Sequence, residues 1–276
     1  MRTDRLKIII LLCSLALVLP FLCLTAEGKD FTVVIDPGHG GHDPGAIGRR
    51  GKEKNINLNV ALKVGRLIQN NCKDVKVIFT RRSDVFIPLD RRAQIANNAK
   101  ADLFISIHTL GLHRTEENLE VAKKENSVIL IEDNYQQRYA GFNPNSSESY
   151  IIFEFLQDKN MEKSVKLATL IQKQFKTSAR RIDKGVHQAG FLVLRETSMP
   201  GVLVELGYIS TPDEEQYLLS DTGSEALANS IYKAFLNYKR EHDAPIDRSK
   251  VQQPEMPEPE ESVAETPMNP TVHPNR

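Results

Sequence analysis

Apolar runs of two kinds alternate along this chain. Thr32-Val33-Val34-Ile35, Val75-Lys76-Val77-Ile78-Phe79-Thr80 and Leu103-Phe104-Ile105-Ser106-Ile107-His108 are short and rich in β-branched residues. They predict strands over 31–36, 75–80 and 103–108. Between them the period changes. Ile56, Val60, Val64, Leu67 and Ile68 recur at helical spacing after Glu53 and stop at Asn70-Asn71. Pro88 opens a second helix, Leu89 to Lys100, with Ile95 and Ala96 facing inward. Further on, Phe153, Leu156, Val165, Leu167, Leu170 and Ile171 mark a long amphipathic helix from Glu148 to Lys176. Gly190–Arg195 and Gly201–Gly207 read as two more strands. Thr211-Pro212-Asp213-Glu214 starts a capped helix, and a last helix runs from Ser224 to about Arg240. Strands alternating with helices predict an α/β fold with a largely parallel sheet, whose strand C-termini gather the functional loops.

Three segments depart from this rhythm. Residues 109–147 are polar, with Glu116, Glu117, Glu120 and Glu125 along a helix-like run to about Asn126, then Val128–Ile131 and Asn143-Pro144-Asn145-Ser146-Ser147; this reads as an insertion on the active face. Residues 244–276 lack an apolar period and are rich in Pro and Glu, which predicts a disordered tail. At the other end, a short basic start precedes the apolar run Ile8–Leu24 and the small residue of Thr25-Ala26-Glu27. A secretory signal peptide over 1–26 fits, and Pro20 favours it over an uncleaved membrane anchor. Leu22 before Cys23 disfavours a lipid anchor.

Composition narrows the function. The chain has 276 residues, room for one sizeable domain, expected over 30–240. Lys+Arg and Asp+Glu are both 36, so the basic footprint of a nucleic-acid binder is absent. With Cys13 and Cys23 in the leader, Cys72 is the one cysteine left, too few for a disulfide or a cysteine metal site. It is expected to be a small, partly buried apolar residue.

The chemistry lies where polar residues interrupt the apolar runs. His39 and His108 each end a strand, Glu53 begins a helix after the glycine-rich loop 38–51, and Glu205 sits inside Val202-Leu203-Val204-Glu205-Leu206. A carboxylate in such a run is expensive to bury unless paired or set beside a metal. Two imidazoles and one carboxylate can hold zinc and leave its fourth position to water, the pattern of a catalytic site. An unbound Glu205 nearby could carry the proton. Asp36 and Asp43 could orient ligands or simply make turns. His42 and His113 are expected to face solvent. His187, just before a strand, and Arg195, at a strand end, are candidate substrate contacts, Arg195 for a peptide carboxylate.

Val34-Ile35-Asp36-Pro37-Gly38-His39-Gly40-Gly41, Glu53-Lys54, Ser106-Ile107-His108 and Val204-Glu205-Leu206-Gly207-Tyr208-Ile209-Ser210 resemble, in order, four signatures of the zinc-dependent N-acetylmuramoyl-L-alanine amidases. The resemblance covers roughly Phe31 to Tyr238. It implies hydrolysis of the amide joining N-acetylmuramic acid to L-alanine in peptidoglycan, with Zn2+ as cofactor on His39, Glu53 and His108 and with Glu205 as the catalytic glutamate. It also implies a twisted, mainly parallel sheet flanked by helices. Where the family often has Asn or Asp two residues past the third ligand, this chain has Leu110. Similarity to the cell-separation members implies that the 109–147 segment blocks the zinc until an activator protein binds. One of Glu116, Glu117, Glu120 or Glu125 would then supply the blocking carboxylate. The same similarity implies a periplasmic or cell-envelope location. A catalytically inactive wall-binding protein on the same fold is the first alternative, and a zinc peptidase of the stem peptide the second.

Overall fold

The computed structural model describes residues 30–111, 118–150 and 160–243. The expected signal peptide, the expected tail, Glu116, Glu117 and His113 lie outside the described residues, as do Phe153 and Leu156 of the expected long helix. Strands β1 (Phe31–Pro37), β2 (Val75–Phe79), β3 (Leu103–Leu110) and β4 (Gly201–Tyr208) form one sheet in the order β2-β1-β3-β4. Every pairing is parallel. The helices are α1 (Glu53–Asn71), α2 (Leu89–Asn98), α3 (Asn118–Asn126), α4 (Met161–Thr177), α5 (Pro212–Leu219) and α6 (Asp221–Asp243). Among the described residues no helix is long and apolar enough to cross a membrane.

The strands alternate strictly between two cores, as the period of two requires. Val33, Ile35, Leu103, Ile105, Ile107, Val202 and Val204 pack with Ile56, Val60 and Val64 of α1 and with Leu167, Leu227 and Phe235 of α4 and α6. Val34 and Phe104 point the other way, toward Ala96 of α2. Both faces are covered, which is why β1 and β3 read as unbroken apolar runs rather than alternating ones. Burying each such Val, Ile or Leu contributes about 1.5–3 kcal/mol. Cys72 is a buried free thiol, as expected.

The 109–147 segment is part of the second core. β3 continues to Leu110, and beyond it Ala122, Ile129, Tyr139 and Phe142 are buried on the α2 face of the sheet. Glu132 accepts the Leu89 backbone N–H at 3.0 Å and the Tyr139 hydroxyl at 2.8 Å, so the segment supplies the missing partner of an α2 N-terminal donor.

One expectation needs correction. Gly190–Arg195 is not a strand: Leu192–Arg195 is a single helical turn. Asn126 explains the difference. Its side chain donates to Gly190 O at 2.8 Å and accepts from Leu192 N–H at 2.9 Å, satisfying backbone groups that a neighbouring strand would otherwise pair. Leu194 and Arg195 N–H then close onto Phe191 O. The expected long helix is helical over 147–150 and over Met161–Thr177, with 151–159 outside the described residues, and Val165 within it is 44% exposed.

Candidate metal centre

His39 follows β1 by two residues, in a turn whose backbone is left-handed (φ 60°) and whose next residues, Gly40 and Gly41, are also at positive φ. For histidine this backbone costs about 1–2 kcal/mol, and the surroundings hold it there. Gly38 can only be glycine, since a Cβ would lie 2.4 Å from the His108 ring. At Gly45 (φ 64°) a Cβ would lie 2.7 Å from both Glu53 Oε2 and the His39 ring.

Four donor groups converge: His39, Glu53, His108 and Glu125, all buried, with ligand atoms within 4.8 Å of one another. His39 Nε2 is 3.1 Å from Glu53 Oε1 and 3.1 Å from Glu125 Oε2. His108 Nδ1 is 3.4 Å from Glu53 Oε1 and 2.7 Å from Glu125 Oε2. Ligands on a tetrahedral zinc with bonds of about 2.0–2.1 Å are about 3.3 Å apart, so the cluster has nearly the spacing of a first coordination shell. The His108 Nδ1–Glu125 approach lacks hydrogen-bond geometry, which leaves Nδ1 buried without a hydrogen-bond partner. That orphaned nitrogen and the N/O donor set fit zinc.

Supporting contacts fix two of the four donor groups. Asp43, a pure acceptor when ionised, takes the His39 Nδ1–H at 2.7 Å and leaves Nε2 to face the cluster. Glu53 Oε1 accepts from Thr109 N–H (2.9 Å) and Asn57 Nδ2 (3.1 Å), and Oε2 from Ala46 N–H (2.8 Å). As the first residue of α1 it also sits at the positive end of the helix dipole. Glu205 is the Cα partner of His108 across the β3–β4 ladder, so both side chains share one sheet face. Both its carboxylate oxygens are buried without a hydrogen-bond partner.

Charge balance in the metal-free cluster follows from this packing. Burial lowers the His39 pKa, but Glu53 and the carboxylates of Asp43 and Glu125 outweigh it and lift the imidazole well above its ordinary value. His108 is likewise disfavoured by burial yet pushed up to about 10 by Glu125. Burial works against Glu53, but the two imidazoles hold it well below the usual range. Glu205 goes the other way: burial and the negative charge of Glu125 raise it well above an ordinary glutamate.

The other sequence candidates are dispersed. Glu120 is exposed and pairs with Lys123 at 3.0 Å. His42 is exposed and stacks on Phe86, ring centroids 4.1 Å apart. His187 borders a cavity of about 410 Å³ that also contains Glu205 and Leu110, and its Nε2 donates to Lys184 O at 2.6 Å. Arg195 does not border that cavity but borders, with His187, a second one of about 570 Å³; its Nε lies 2.7 Å from Glu196. Asp36, fully buried, accepts from Arg92 (2.8 Å), Thr80 (2.5 Å) and Ser106 (2.7 Å) beneath the His39 turn. Sequence reasoning missed Asn57, Thr109, Arg81 and Arg92. The available signal was polar residues at inward helical positions: Asn57 one turn after Glu53, and Arg92 between Leu89 and Ala93.

Comparison with known proteins agrees with this geometry. The profile described as N-acetylmuramoyl-L-alanine amidase matches residues 33–237. The Escherichia coli K12 protein AmiA, named N-acetylmuramoyl-L-alanine amidase, is 32% identical over 77% of this chain and 77% of its own length. Among solved structures, the amidase of Clostridium difficile 630 is 28% identical with a TM-score of 0.59, covering 77% of this chain and 98% of that one. The catalytic domain of CwlV from Paenibacillus polymyxa is 29% identical with a TM-score of 0.55, over 76% and 98% respectively. With a buried two-histidine, two-glutamate cluster at the C-terminal ends of a parallel sheet, and a family match over most of its length, this chain belongs to the N-acetylmuramoyl-L-alanine amidases.

Proposed function

We propose that this protein is a zinc-dependent peptidoglycan amidase, held closed by its own Glu125, that acts in cell-wall remodelling and daughter-cell separation. The observation that carries the reading is the spacing of His39 Nε2, Glu53 Oε1 and His108 Nδ1 beside Glu205, whose two carboxylate oxygens are buried without a hydrogen-bond partner. His39, Glu53 and His108 would hold the ion. When bound, zinc supplies a Lewis acid that polarises the scissile carbonyl and lets water ionise near pH 7.

Glu205 does the proton work. Burial, the first cause of its raised pKa, stays when Glu125 leaves and suits a group that must both take and give a proton. It takes a proton from the attacking water as the water oxygen bonds to the muramic acid carbonyl carbon. It then delivers that proton to the alanine nitrogen as the C–N bond breaks. The products are a free carboxyl on the sugar and a free amine on the stem peptide. The Glu205 cavity, bordered by His187 and Leu110, is where the stem peptide would lie; Arg195 stands outside it.

Glu125 touches both imidazoles and so stands where substrate oxygen would have to come. Of the four acidic candidates, Glu120 points to solvent, and Glu116 and Glu117 lie outside the described residues. An activator protein that draws α3 away would open the site. Residues 30–240 form the catalytic domain, export by the 1–26 leader delivers it to the periplasm or cell envelope, and the 244–276 tail acts as a spacer.

The test is Glu205→Gln. The variant should bind one zinc per chain as tightly as wild type and lose at least about 100-fold in turnover, the usual scale for a lost general acid–base group. Wild-type turnover in Glu205→Gln would overturn the assignment.

A further inference from the structure

The His39 turn leaves β1 with three successive carbonyls directed inward, and two guanidiniums meet them. Arg92 donates from Nη1 to Pro37 O (2.9 Å) and the Asp36 carboxylate (2.8 Å), from Nη2 to His39 O (3.0 Å), and from Nε to Ile87 O (2.8 Å). Arg81 donates from Nε to Pro37 O (2.9 Å) and from Nη2 to both Gly38 O (2.8 Å) and Lys54 O (2.9 Å). Lys54 is the residue after Glu53, so Arg81 ties the turn that bears one cluster residue to the helix start that bears another.

Both arginines are almost wholly buried, 3% and 2% exposed, and neither borders the Glu205 cavity. Two buried cations side by side repel each other and lose their hydration, an arrangement that costs stability unless something needs it. Asp36 balances only one of the charges directly. What both cations share is the backbone of Pro37, Gly38 and His39, in the segment where His39 and Gly40 carry positive φ. A planar fork with donors at fixed angles can hold several carbonyls in one orientation; an ammonium cannot.

We propose that Arg81 and Arg92 form a paired clamp that positions His39 and Glu53 for metal binding, with Arg92 holding the left-handed His39 backbone and Arg81 setting the separation of the turn from α1. They are positioning residues, acting through the cluster and not on substrate. The proposal rests on the zinc reading of that cluster.

The experiment is metal titration of stripped full-length protein, with zinc for affinity and cobalt(II) for its visible spectrum, at a temperature where circular dichroism shows each variant fully folded. Arg92→Lys and Arg81→Lys should each weaken zinc binding at least tenfold and alter the cobalt spectrum. Ile231→Ala in α6, a destabilised control remote from the turn, should lower the thermal midpoint and leave zinc affinity within twofold of wild type. If Arg92→Lys fails to fold, Arg81→Lys decides alone, since its fork also reaches the less buried Ser83 carbonyl. Lysine variants with wild-type affinity and spectrum would overturn the clamp while leaving the zinc reading intact. A wild-type protein that binds no zinc would overturn both.

Discussion

Glu125→Ala offers the sharpest perturbation of the closed state. Its carboxylate is buried, 2.7 Å from His108 Nδ1 and 3.1 Å from His39 Nε2, so with zinc on those nitrogens it would be within reach of the ion as a fourth donor. Such a charged contact is taken at the scale of a hydrogen bond to a charged group, about 1.5–3 kcal/mol net. Losing one such contact shifts a closed–open equilibrium by about tenfold to about 150-fold, at about 1.4 kcal/mol per factor of ten. Basal release of stem peptide from purified sacculi, measured without any activator, should therefore rise at least about tenfold until the open form dominates. The rise stays partial because α3 has other anchors. Ala122 is fully buried, and Asn126 bonds Gly190 and Leu192. Adding Asn126→Ala should raise the basal rate further, and Glu120→Ala, a change at an exposed carboxylate, should not. Deleting the whole segment is a poorer experiment, because it would strip Ile129, Tyr139 and Phe142 from the second core. A zinc-loaded Glu125→Ala protein with basal activity at or below wild type refutes the blocking role.

Other outcomes follow from the same geometry. Asp43→Asn should reduce zinc affinity about 10–100-fold, the scale for losing a ligand's orienting partner, as read by competition with a chromophoric chelator; unchanged affinity would mean that Asp43 only shapes its turn. Burial and Glu125 raise the Glu205 pKa in the folded state, so the stability from its protonated form is present at low pH and lost as pH rises through the folded value. In chelator, thermal midpoints of wild type and Glu205→Gln should then coincide near pH 4, below the ordinary glutamate value of about 4.3, and the variant should be the more stable by about pH 8. A wild type that gains on the variant as pH rises would contradict that sign.

The sheet was legible because burial on both faces leaves its mark in composition. β1 and β3 are short runs rich in Val, Ile, Leu and Phe and are buried at every position, β4 alternates buried and half-buried positions, and α1 repeats its apolar residues every three or four positions. The same rule misread Gly190–Arg195, where a short apolar run suits a strand or a helical turn equally and a single distant residue, Asn126, decides. His39, Glu53, His108 and Glu205 stood out because each is polar at a strand or helix end, or within an apolar run. Glu125 did not: four glutamates looked alike, and the packing of α3 buries Glu125 while leaving Glu120 exposed. Arg81 and Arg92 were missed for a different reason. Arginine is ordinarily a surface residue, and the carbonyls that bury these two belong to a turn far away in sequence.

The central claim is that the site cuts one particular amide with the help of zinc. Mass spectrometry of peptidoglycan digested by the metal-loaded protein tests it directly. Intact stem peptides with a free alanine amino group and glycan strands with free muramic acid carboxyls should form with zinc and not in chelator. Cleavage between residues of the stem peptide, or the same products at full rate in chelator, would contradict it.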